Sequence, residues 1–275
     1  VLYSNLTGIS PSLNNKIQNI MRTVLILTIV LISGFTFMNA QKTKILFIGN
    51  SYTYVNNLPA AVYQLALSLG DTVYYDSYAP GGYRLMNHAS DVNCMLKINS
   101  EDWDFVVVQA QSQEPSWPPS QVNVEVYPYA QQINDSIKAN HTCSETVFFM
   151  TWGRKYGDAS NCATWPPVCT YSGMQERLMA GYMTMAEMNW ATVAPVGLAW
   201  NNSMDLDTDS LFDLYSADFS HPSVKGTYLT ACVMYGTMFH KSPIGAMWPG
   251  GLTQAEAEFL QHVADSTVFS DDYNF

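Results

Sequence analysis

Positive charge is what this chain has least of. Its 275 residues carry 12 lysines and arginines against 23 aspartates and glutamates, a formal net charge of −11. An acidic surface repels phosphate backbones and anionic lipid, which argues against nucleic acid or an anionic membrane as partner. It leaves neutral substrates open. Metal-binding spacings are missing too. The five histidines are scattered, and there is no Cys-x-x-Cys pair and no His-Glu-x-x-His, so no metal site and no cofactor are expected. No repeat and no low-complexity linker interrupts the chain.

Long apolar runs are also scarce. The most prominent one, Val24 to Met38, is 15 residues long, short of the roughly 20 that a membrane span needs. Met21-Arg22 precedes it and Asn39-Ala40-Gln41 follows it. A charged start, an apolar middle and a small residue at the end are the parts of a signal peptide. Residues 21–40 read as that peptide, cut after Ala40, although Met38 stands where a small residue is preferred. An uncleaved anchor is the competing reading. Residues 1–20 read as an unstructured upstream segment. A secreted or periplasmic protein without stable membrane insertion follows.

The remaining 41–275 form 235 residues, enough for one α/β domain with a full core. Lys16 and Arg22 are the only charged residues before position 41, which leaves 10 basic against 23 acidic ones, a net −13. In an exported chain, Cys162 and Cys169 around a Trp-Pro-Pro loop are a candidate disulfide, with Cys94 and Cys143 as a second. Cys232, in an apolar stretch, reads as a buried thiol. Asn134, Asn140 and Asn201 open glycosylation sequons.

Apolar runs and turn residues alternate in the manner of strands and helices, which argues for a parallel sheet covered on both faces. Strands are expected at Lys44–Ile48, Thr72–Tyr78, Phe105–Val108, Thr146–Thr151 and Thr192–Leu198. Helices are expected at Leu58–Leu69, Val122–Ala139, Met174–Asn189, Ser223–Phe239 and Thr253–Asp265. The long loop from Trp152 to Gly173, rich in Trp, Pro and Cys, reads equally as a binding wall or a pinned surface excursion.

The chemistry gathers at the carboxyl ends of the expected strands, where ligands bind in open α/β sheets. Gly49-Asn50-Ser51-Tyr52 follows the first strand, Gly81-Gly82-Tyr83 the second, and Gln109-Ala110-Gln111-Ser112 the third. Asp218-Phe219-Ser220-His221 follows the fifth and precedes a helix. A serine, a histidine 170 residues later and an aspartate three before that histidine supply a nucleophile, its base and an orienting acid.

These segments resemble the SGNH (GDSL-type) hydrolases. The match is to the branch with a Gly-Asn-Ser-Tyr opening and a His-Pro-Ser close. It rests on Ile48-Gly49-Asn50-Ser51-Tyr52, Ala79-Pro80-Gly81-Gly82, Trp103 to Gln109, Ala194-Pro195-Val196-Gly197 and Asp218 to Ser223, with Gly226-Thr227-Tyr228-Leu229 behind. The resemblance implies a three-layer α/β/α sandwich with a flavodoxin-like parallel sheet. It implies Ser51 as nucleophile, His221 as base and Asp218 as the orienting acid. It implies an oxyanion hole from the Ser51 N–H, a glycine after strand two and an asparagine after strand three. The glycine is Gly82, with Gly81 the alternative. The asparagine is absent: Gln111 takes its place by position, and Gln109 is the rival.

The implied activity is hydrolysis of carboxylic esters, with short acyl groups, acetyl among them, on a carbohydrate as the favoured substrate. Trp117 and Trp152 are candidates for a substrate wall of aromatic rings, with Trp165 nearby. The alternative is a glycan-binding protein that kept the fold and lost turnover, which the altered third block favours and the intact Ser51, Asp218 and His221 oppose.

Overall fold

The computed structural model describes Met21, residues 42–207 and residues 213–271. The chain divides into two compact units, Val1–Ala40 and Gln41–Phe275. The readings of 1–20 and 21–40 fall outside the described residues, Met21 apart.

The second unit is an α/β fold around five parallel strands. These are β1 (Thr43–Ile48), β2 (Val73–Tyr78), β3 (Phe105–Val108), β4 (Glu145–Phe149) and β5 (Thr192–Ala194), in the order β2-β1-β3-β4-β5. That is the flavodoxin-like order, whose switch point lies where the chain crosses from one side of β1 to the other. Successive strand side chains point to opposite faces, and here both faces are dry. Ile45, Phe47, Val107, Val147 and Phe149 pack into one core layer. Leu46, Ile48, Val106, Val108 and Phe148 pack into the other. All four apolar residues of β1 from Ile45 to Ile48 have no exposed surface, which is why β1 reads as an unbroken apolar run rather than an alternating one.

The helices are α1 (Ser51–Tyr54), α2 (Leu58–Ser68), α3 (Leu85–Ser90), α4 (Val92–Ile98), α5 (Pro119–Glu125), α6 (Tyr127–Asn140), α7 (Tyr171–Asn189), α8 (Val196–Leu206), α9 (Val224–Phe239) and α10 (Gln254–Val268). Helices α2, α8, α9 and α10 cover the Ile45 face, and α3, α4, α6 and α7 cover the Leu46 face. No helix among the described residues is long and apolar enough to cross a membrane.

Two expectations are corrected, and one pair of helices is added. The fifth strand stops at Ala194 rather than running to Leu198, and α8 starts at Val196. Pro195 has no N–H for the strand ladder and carries a φ suited to a helix start. The single helix expected over 122–139 is two, broken at Val126 (φ −123°, ψ −60°) with Pro128 in the first turn of α6. A proline at 128 in a continuous helix would clash with the carbonyl of Val124. The pair α3–α4 was not expected; Asp91 ends one helix and caps the other by accepting from the Asn93 N–H at 2.8 Å.

Cysteines and sequons also sort out. Cys162 and Cys169 are joined in a disulfide. Cys94 and Cys143 are not: Cys94 is on the buried face of α4, and Cys143 is exposed ahead of β4. Cys232 is a buried free thiol, its ionisation pushed up by burial. Asn134 is buried, accepting from Thr146 Oγ1 at 2.7 Å and donating to the Asn189 carbonyl, so its sequon offers no accessible amide.

Candidate active site

The site begins where β1 ends. A side chain at Gly49 would lie 2.3 Å from Thr53 Oγ1 and 2.6 Å from Gln109 Oε1, so only glycine lets the chain turn this tightly from strand into helix. Asn50 then caps α1, its Oδ1 accepting from the Tyr52 N–H at 3.2 Å. Its Nδ2 donates to the Tyr83 carbonyl at 2.9 Å, which fastens the turn after β2 to the turn after β1. Ser51 is the first residue of α1 and half-buried.

The segment 213–223 brings the other partners. His221 Nε2 lies 2.8 Å from Ser51 Oγ, and its Nδ1 is hydrogen-bonded to Asp218 Oδ2. Asp218 Oδ1 also accepts from the backbone N–H groups of Ser220 and His221, at 3.1 and 3.0 Å. Burial pushes the Asp218 carboxyl up, but these hydrogen bonds outweigh it and hold the group below its ordinary value. To wrap around the carboxylate, Phe219 takes a left-handed backbone (φ 60°), a strain of the kind that persists where neighbours enforce it. The enforcing contacts are visible. Phe219 O accepts from Lys155 N, His221 O from Ser216 N, and Leu214 O from Ser223 N.

An aromatic column supports the histidine. Tyr52 stacks on Trp152 (centroids 4.7 Å apart, 6° between planes) and Trp152 on Trp200 (3.8 Å, 2°), while Tyr52 meets His221 edge-on at 5.3 Å. Tyr52 Oη is 2.7 Å from Ser220 Oγ, and Trp152 Nε1 donates to the Ser220 carbonyl at 3.0 Å. Trp152 has no exposed surface. Its expected place in a substrate wall is therefore corrected: its ring supports the histidine loop from below. Trp117 and Trp165 are half-buried. Arg84 lies over the Trp117 ring at 5.2 Å and Arg177 over that of Trp165 at 6.0 Å.

The oxyanion candidates separate sharply. Gln109 is fully buried. Its Oε1 accepts from Asn50 N and Thr53 Oγ1, both at 2.9 Å, and its Nε2 donates to Asn50 Oδ1 at 2.9 Å and Ala110 O at 2.5 Å. Both amide hydrogens are committed, so Gln109 braces the nucleophile turn and has no donor to spare. Gln111 is half-buried, and its Nε2 has one partner, Gln113 Oε1 at 3.2 Å; a second hydrogen is free. Gly82 sits in the turn tied to Asn50, at φ 71° and with open space where a side chain would stand. Gly81 is closer to its surroundings, with Tyr54 Oη 3.4 Å from such a side chain.

Several residues here carry no sequence signal. His88 is buried, with Nε2 2.9 Å from the Gly49 carbonyl and no partner for Nδ1 among the described groups. The contact assigns the proton to Nε2. Burial lowers the His88 pKa to about 4. Arg84 bonds Glu114 through Nε and Glu125 through Nη2 (2.6 Å). Arg84 follows Gly82 by two positions and Glu114 follows Gln111 by three, so this pair clips together the turns that carry both oxyanion candidates. Glu114 is fully buried, and burial pushes its pKa up to about 7 against the pull of Arg84. The loop 152–173 is pinned rather than free. Asp158 accepts from Gln113 Nε2, Ser160 and Asn161, Trp165 Nε1 donates to Ser116 O, and the disulfide closes it.

The two buried titrating groups act on stability in opposite senses. His88 stays neutral when folded, so its contribution is complete above pH 6.5 and falls away as pH drops towards 4. Burial raises the Glu114 pKa on folding, so its contribution is complete below pH 4.5 and falls away as pH rises towards 7. Between those limits they offset each other. Melting temperatures across pH 4.5–7 should therefore climb more steeply with pH in Glu114→Gln and less steeply in His88→Gln than in the parent. Equal slopes in all three would contradict both environments.

The class that this fold and site define is an α/β protein with a Ser–His–Asp array at the carboxyl edge of a parallel sheet. Comparison with known proteins agrees on the fold. No protein family and no curated protein matches the chain by sequence. Among solved structures it is similar to a DUF4886-family protein from Bacteroides uniformis (TM-score 0.71, 16% identity, 86% of this chain and 98% of that one). It is also similar to a candidate SGNH hydrolase from Slackia heliotrinireducens (0.58, 28%, 72% and 100%). A family 3 carbohydrate esterase from Clostridium thermocellum matches at 0.51, with 14% identity over 73% of this chain and 96% of that one.

Proposed function

We propose that the protein is an exported serine hydrolase that removes short acyl groups, acetyl foremost, from carbohydrate esters. One observation carries the reading: the continuous hydrogen-bond chain from Ser51 Oγ through His221 to Asp218. A serine hydroxyl is a weak nucleophile until an adjacent base takes its proton, and the base works only in the tautomer its third partner imposes. With Nδ1–H held by Asp218, His221 presents the lone pair of Nε2 to Ser51.

In the first half-reaction His221 Nε2 takes the Ser51 proton as Oγ bonds to the ester carbonyl carbon. The carbonyl electron pair moves to oxygen, and that oxyanion is held by the N–H groups of Ser51 and Gly82 and by Gln111 Nε2. The C–O bond to the alcohol then breaks, and His221 gives the alcohol its proton. Water enters, loses its proton to His221 and attacks the acyl-enzyme; collapse returns the carboxylic acid and free Ser51. Asp218 stays ionised throughout and stabilises the imidazolium, in keeping with its lowered pKa. The likeness to a carbohydrate esterase supports the sugar, at the level of fold.

p-Nitrophenyl acetate turnover by the protein, then acetate release from acetylated oligosaccharides, tests the reading; a folded protein inert to both would overturn it. The two glutamines provide a sharper test. Gln111→Ala should lower kcat about a hundredfold, the usual loss for one oxyanion donor, with little change in melting temperature. Gln109→Ala should instead destabilise the fold by several times about 1 kcal/mol, since it orphans buried partners. The reverse pattern would give the donor role to Gln109.

A further inference from the structure

A cavity of about 140 Å³ that the esterase chemistry does not use lies between the starts of α2 and α9 and the turn at Trp248–Gly250. None of its lining residues carries a charge, although the chain as a whole is strongly acidic. Its polar groups are amides and a hydroxyl: Asn56, Asn57, Gln64 and Thr227, set against the rings of Trp248 and Tyr228.

The amides are open to solvent: Asn56 and Asn57 are exposed and Gln64 is half-buried. Asn57 stands at the N-cap of α2 yet makes no capping hydrogen bond, and Gln64 makes no side-chain hydrogen bond among the described residues. Asn56 uses its Nδ2 on the Pro222 carbonyl and on Thr227 Oγ1, both at 3.0 Å, which leaves its carbonyl oxygen as an acceptor. Asn56 and Asn57 both hold left-handed backbones (φ 53° and 55°). Asparagine tolerates that region better than most residues with a side chain, so the turn forms at modest cost. The aromatic wall is fixed: Tyr228 Oη donates to the Trp248 carbonyl at 3.1 Å, and the two rings lie 5.8 Å apart.

Uncharged amides, which both donate and accept, beside a partly buried indole suit a neutral ligand with hydroxyls on its edge and C–H groups on its face. The volume is well below the roughly 300–1,000 Å³ of pockets that enclose drug-sized ligands, so it admits one ring rather than a chain. One contact links the cavity to the chemistry. Asn56 follows Ser51 by five residues and its side chain grips Pro222, the neighbour of His221.

We propose that this cavity is a binding subsite for one neutral sugar ring of an oligosaccharide whose adjoining residue presents its ester to Ser51. The inference rests on the esterase reading but fails separately from it. The substrate would be recognised at two places, by its ester at the triad and by an unmodified ring at Trp248.

Two measurements test it. The first compares kcat/KM for an acetylated xylotriose with that for p-nitrophenyl acetate, in the parent, Gln64→Ala and Asn57→Gly. Glycine accepts the positive φ at 57, so that variant removes the amide without new strain. The ratio of the two specificity constants should fall about tenfold in each variant, as expected for one or two lost hydrogen bonds, through a higher KM for the oligosaccharide. An unchanged ratio would overturn the proposal. The second titrates Ser51→Ala with unacetylated xylotriose, cellotriose, mannotriose and chitotriose, following tryptophan fluorescence. Saturable quenching by at least one, lost in Trp248→Phe on the same background, is expected. No response to any of the four, in a protein whose parent hydrolyses p-nitrophenyl acetate, would remove the subsite and leave the esterase standing.

Discussion

Ser51→Ala should lower kcat for p-nitrophenyl acetate by about a millionfold, the loss seen when the nucleophile of such an array is deleted. The fold should be untouched. Ser51 is small, half-buried and at the first position of α1, and its Oγ makes one hydrogen bond, to His221 Nε2. The cap of α1 comes from Asn50 and the bracing from Gln109, neither of which involves the Ser51 hydroxyl. Stability should therefore change by no more than about 0.5 kcal/mol, as for other substitutions that disturb no buried network. Retained turnover in a folded variant would show that another group attacks the ester.

Asp218→Asn should cost about 10⁴ in kcat, less than loss of the serine. The amide keeps the size of the carboxylate and can still accept from the N–H groups of Ser220 and His221 through its oxygen. What changes is the group facing His221 Nδ1. An NH₂ there turns the imidazole to the other tautomer, with its proton on Nε2, so the base meets Ser51 already protonated. The carboxylate's charge is lost as well. Half of the Asp218 side-chain surface is exposed, so water and ions screen part of that charge effect and tautomer carries the larger share. A loss equal to that of Ser51→Ala would assign Asp218 a further role.

The four chemical loops were legible in the sequence because turn residues follow the strands, and β1 and β3 because each carries an unbroken run of four apolar residues. Ile45 to Ile48 and Val106 to Val108 have no exposed surface, and their length, too short for a buried helix, reads as strand. The failures have physical causes. Ala194 to Leu198 is apolar throughout, and only the missing N–H of Pro195 separates the last residue of β5 from α8. The break at Val126 turns on Pro128, six residues past the start of what periodicity reads as one helix. Trp152 looked like an exposed ring on a loop, yet loop position says nothing of burial, and Tyr52 and Trp200 enclose it.

At the site, Ser51, His221 and Asp218 were legible through their order and their turn contexts, and the structure brings the three together. The choice between Gln109 and Gln111 was not, because it depends on which amide hydrogens are already bonded. His88, Arg84 and Glu114 left no trace. Each acts on a residue far along the chain, His88 on Gly49 and Arg84 on Glu114, and no local pattern encodes such a contact.

Labelling with a fluorophosphonate, followed by peptide mass mapping, tests the central claim most directly. An activated serine alone among the chain's hydroxyls should attack the phosphorus and expel fluoride. The account predicts one adduct, on Ser51, whose formation slows with the loss of turnover in Asp218→Asn and disappears in His221→Ala. An adduct elsewhere, or an unlabelled Ser51 in protein that still hydrolyses p-nitrophenyl acetate, would contradict it.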